Sequence, residues 1–125
     1  MIIFDVDRVK NDLARIQSKH DYYSGIANEL YRFKNGRECP KDNVLYYKCL
    51  NISFRLTLIE ISIRHVLEVY AVREDDNYGL EFILYTIAGN GNRYAQGVIN
   101  KSRVKQGQPV YDFNKNEERR SVINE

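Results

Sequence analysis

At 125 residues, 43% hydrophobic and 29% charged, the chain has room for one core and too much apolar content for global disorder. A formal net charge of +2 does not by itself select nucleic acid, a membrane surface or an acidic substrate. Two cysteines, Cys39 and Cys49, and two histidines, His20 and His65, give neither a disulfide framework nor zinc-ligand spacing, so no metal, no cofactor and a reducing, cytoplasmic setting are expected.

Residues 1–7 lack a basic lead and carry Asp5 and Asp7 where a signal peptide would be apolar, and no uncharged run reaches membrane-spanning length. Secretion and a membrane partner are not expected. From Val9 the positions Leu13, Ile16, His20, Tyr23, Ala27 and Leu30 follow at steps of three and four, which predicts an amphipathic helix within a helical segment 1–36. Asp5 or Asp7 caps its start, Arg32, Lys34 and Asn35-Gly36 mark its end, and Gly25 is its weak point. The nearly heptad stripe of Val9, Leu13, Ile16, His20 and Tyr23 serves either as a core face or as the interface of a homodimer.

Residues 37–43 read as a loop, rich in turn-forming residues and poor in apolar ones. Residues 44–72 contain no Gly or Pro. Within them Asn51-Ile-Ser-Phe-Arg-Leu-Thr-Leu58 alternates polar and apolar, and Ile59-Glu-Ile-Ser-Ile-Arg64 alternates in the opposite phase, the pattern of strands with a bulge. The same stretch offers Leu45, Cys49, Ile52, Leu56, Ile59, Ile63, Val66 and Tyr70 at helical steps, which supports one buried helix instead. Residues 65–73 and 80–87, rich in β-branched and aromatic residues, flank a turn at 74–79 and read as a hairpin. Further turns fall at 89–92 and 106–109, with a short edge strand at 110–113.

The expected fold is therefore α+β in a single domain 1–125: a long N-terminal amphipathic helix packed on an antiparallel β-meander over residues 44–113, then a charged tail at 114–125. An all-α fold is the alternative.

The segment Ala88-Gly-Asn-Gly-Asn-Arg-Tyr-Ala-Gln-Gly97 matches neither a P-loop nor a dinucleotide fingerprint. Around it, however, charge segregates: Arg93, Lys101, Arg103 and Lys105 lie in a stretch without an acidic residue, and the preceding loop holds Glu74, Asp75 and Asp76. Asn92, Arg93, Tyr94, Lys101, Arg103 and Lys105 are the candidate binding residues, with Tyr94 placed to stack on a base. His65 between Glu60 and Glu68 has no nucleophile or oxyanion site beside it, and no catalytic residue is assigned.

Ten tyrosines and charged loops suit a non-enzymatic binding protein that engages a protein partner, a second copy or a sequestered ligand, as an inhibitor, immunity or anti-defence factor does. The many Asn, Lys and Ile suit an A/T-rich phage or plasmid gene. A nucleic-acid-binding module using residues 93–105 is the alternative. If 44–72 is helical, Ile59-Glu-Ile-Ser-Ile-Arg-His-Val-Leu67 resembles the Glu-x-x-x-Arg-Asn/His helix of Abi-like abortive-infection proteins with a HEPN fold. Residues 99–103 and 121–125 fall near that family's next signposts. The resemblance implies a truncated defence domain whose ribonuclease motif would lie beyond residue 125, so it assigns no catalytic residue.

Overall fold

The structure, a computed structural model, describes residues 1–33 and 44–118. Its elements in chain order are the helices α1 (Val6–Phe33), α2 (Val44–Arg73), α3 (Asn77–Gly89) and α4 (Arg93–Lys105), then the two-residue strands β1 (Tyr111–Asp112) and β2 (Glu117–Glu118). The described chain is thus mostly helical, and the expected meander over 44–113 is replaced by three helices and one strand of a small hairpin. The loop at 37–43, with Cys39, the helix-end marks Lys34, Asn35 and Gly36, and the last seven residues of the expected tail lie outside the described residues. Among the described residues no helix is long and apolar enough to cross a membrane.

The alternation that suggested strands in α2 has a helical cause. At 3.6 residues per turn, positions two apart stand about 200° apart around the axis, so alternating apolar residues land on opposite faces of one helix. Cys49, Leu56 and Ile63 are buried, whereas Phe54, Leu58 and Ile61, each standing two positions from a buried residue, are exposed. The intervening hydroxyls fit because they bond back into the helix: Ser53 Oγ donates to Cys49 O at 2.9 Å and Thr57 Oγ1 to Ser53 O at 3.0 Å.

The expected hairpin over 65–87 is also corrected, although its turn is real. Asp76 caps α3 by accepting from Gly79 N at 3.0 Å, and a Cβ on Gly79 would collide with that same carboxylate. Leu80, Leu84 and Ala88 then fall on one buried stripe. The turn at 89–92 joins α3 to α4 through Gly91 at φ 107°, a conformation that disfavours any side chain.

Two compact units divide the chain. The first joins Met1–Val9 to the chain from Ser62 onward, with a core of Ile2, Val66, Val69, Leu80, Leu84, Ala88, Ala95 and Ile99. Phe4 stacks on Tyr70 at 4.5 Å, and Tyr111 and Phe113 of the hairpin cluster with Tyr85. The described part of the second unit, Lys10–Ile61, is a pair of helical segments. Gln17 bonds Glu60 at 3.1 Å and Tyr31 meets Tyr46, so the two segments run antiparallel. On α1 the stripe read as core or interface is buried at Val9 and half-buried at Leu13, Ile16, His20 and Tyr23, and the helix runs unbroken through Gly25.

Candidate anion-binding cleft

The N-terminal residues enter the first unit as an extended segment that side chains hold by its backbone. Asn77 accepts from Ile2 N and donates to Ile2 O, both at 2.9 Å. The buried Ser102 accepts from Ile3 N at 2.8 Å, and Gln106 Nε2 donates to Met1 O at 2.9 Å. Asp5 then caps α1, its Oδ1 accepting from Arg8 N at 3.1 Å, so the first turn of α1 is fixed in place.

Between this segment and α4 lies a cleft of about 160 Å³. Ile3, Asp5, Arg8 and Val9 form one wall. From α4 come Arg93, Gly97, Lys101 and Lys105, one face at steps of four, with Tyr94, Val98 and Ser102 beside them. Asn92 anchors the start of that helix by accepting from Ala95 N at 2.9 Å and donating to Ser62 O on α2 at 3.1 Å. Four cations therefore surround the cleft against one carboxylate, Asp5, which is already engaged as a cap. Arg93, Lys101 and Lys105 are exposed, and none is held in an ion pair among the described residues.

Four of the six residues singled out from the sequence thus meet in one place: Arg93, Tyr94, Lys101 and Lys105. Asn92 is a structural cap. Arg103 faces elsewhere, its Nε donating to Pro109 O at 2.6 Å, one terminal nitrogen to Tyr85 Oη at 3.0 Å and the other to Glu118, with the guanidinium over the Tyr111 ring. Burial lowers its pKa, but the bonds to Glu118 and Tyr85 outweigh this and raise it above the ordinary arginine value. It is a clamp for the hairpin rather than a free cation.

No known protein-family model matches the chain, and no curated protein or solved structure matches it significantly.

The cleft also contains two charged residues that the sequence reading did not group with it, Arg8 and Asp5. They lie more than eighty positions before α4, and no local pattern links them to it. His65 is exposed on α2, and among the described residues no group of three His, Cys, Asp or Glu is placed to hold a metal ion. What the cleft offers chemically is positive charge, a strip of bare helix backbone at Gly97 and an aromatic edge at Tyr94.

Proposed function

We propose that the chain is a binding module for single-stranded nucleic acid, whose sugar-phosphate backbone lies along the α4 cleft. The observation that supports this most is the row of cations on one face of α4, none of them in an ion pair among the described residues. Along the helix axis Arg93 and Lys101 are about 12 Å apart and Lys101 and Lys105 about 6 Å apart. Those intervals suit successive phosphates of an extended strand better than one compact anion. Gly97 leaves the helix backbone open to close approach between the cations, and Tyr94 flanks the row where a base would stack.

Fluorescence anisotropy with a labelled single-stranded oligonucleotide tests this over a series of salt concentrations. With about three phosphates engaged, log affinity should fall with log salt at a slope of about −2. Arg93→Ala or Lys101→Ala should each remove close to one phosphate's share of that slope, while Arg103→Lys, which loosens the hairpin clamp, should leave it unchanged. An oligonucleotide that does not bind, or binds with a salt-independent affinity, would falsify the reading.

A further inference from the structure

The second unit exposes far more apolar surface than two helical segments can cover. Among its described residues the buried apolar ones are Ala27, Cys49 and Leu56, whereas Val44, Leu45, Tyr47, Phe54, Leu58, Ile59 and Ile61 of α2 are all open to solvent. A helix that is apolar on two opposite faces needs a cover on each of them. The described residues cover one.

The uncovered face has a pattern. Tyr47, Asn51, Phe54, Leu58 and Ile61 follow at steps of four, three, four and three, the heptad spacing of a seam that receives the knobs of another helix. Their exposure is 42% at Tyr47, 63% at Phe54, 66% at Leu58 and 57% at Ile61. We infer that this face is the interface of a homodimer, in which α2 of one copy packs along α2 of the second and two antiparallel helix pairs close into a four-helix bundle.

Three features select a second copy as the occupant. Under a two-fold axis the stripe meets itself, so apolar residues face apolar residues without a partner of matching design. The unit is already half of a four-helix bundle, and duplication supplies the missing layer. The area is of the right order: scaled by their exposure, the two aromatic and two aliphatic residues of the seam offer roughly 450 Å² per copy. Val44 and a polar rim including Asn51 and Thr57 bring this toward the roughly 800 Å² per partner of a stable interface. Asn51 is the seam's one polar position, the kind of residue that fixes register in such pairs.

Light scattering on the full chain at about 100 µM, where even a micromolar dimer is filled, should give twice the chain mass. The double variant Phe54→Lys, Leu58→Lys should be monomeric with its helical circular dichroism retained, and Tyr22→Lys, on exposed α1 surface, should remain dimeric. A monomeric wild-type chain would overturn the inference and leave the stripe to a foreign helix. So would a dimer that survives the double variant. Should the lysines reduce helicity, Leu58→Cys in a Cys39→Ser, Cys49→Ala background decides the matter. A disulfide between the introduced thiols of two copies, formed under mild oxidation, supports the seam, and a monomeric mass for this variant with no disulfide formed rejects it.

Discussion

Gly97 faces the cleft without a side chain, and a Cβ added there meets nothing within 4 Å. A glycine inside a helix costs about 0.5–1 kcal/mol relative to alanine, so Gly97→Ala should raise stability by that amount in thermal or denaturant unfolding. The same methyl would stand on the open backbone between Arg93 and Lys101 and should weaken oligonucleotide binding by about 3- to 10-fold, or 0.7–1.4 kcal/mol. A variant that gains stability and keeps full affinity would show that the strand does not approach the helix there. The cations of this cleft were partly legible in the sequence. Their absence of acidic neighbours identified Arg93, Lys101 and Lys105, but it grouped Arg103 with them because a charge pattern along the chain carries no direction. On a helix, Arg103 turns about 200° away from Lys101 and reaches Tyr85, Pro109 and Glu118 instead.

At the scale of elements, α3 gives the clearest energetic test. Leu84 is fully buried in the middle of the Leu80, Leu84, Ala88 stripe, facing a core that includes Ala95 and Ile99 of α4. Leu84→Ala should cost about 2–5 kcal/mol in denaturant unfolding, because fixed helices close poorly around the cavity left behind. The punctuation of the elements was readable from local chemistry: Asp5 caps α1, the turns at 89–92 and 106–109 and the strand at Tyr111–Asp112 lie where Gly, Asn, Asp and Pro placed them, and the turn expected over 74–79 is confined to 74–76 because α3 begins at Asn77. The identity of the elements between them was not. In α2 the ambiguity is intrinsic, since two opposed apolar faces on a helix and one apolar face on a strand both give apolar residues two apart.

For the molecule as a whole, the first unit depends on a discontinuous segment. Asn77→Ala would leave the part-buried Ile2 N–H and C=O without their partners, at a cost of about 1–3 kcal/mol. Amide hydrogen exchange should show Ile2 and Ile3 protected in the wild type and both exchanging faster in the variant, with loss of oligonucleotide affinity as Arg8 leaves the cleft. Unchanged protection at Ile2 would mean that Ser102 and Gln106 suffice to hold the segment. These clasps also set an order of events. Ile2 waits for a residue 75 positions later, Ile3 for one 99 positions later and Met1 for one 105 positions later. Loops of that length close late and slowly, so residues that leave the ribosome early are among the last to reach their native places. Until Gln106 has been synthesised, Ile2 and Phe4 have an unfinished core to join and remain exposed for a chaperone to cover.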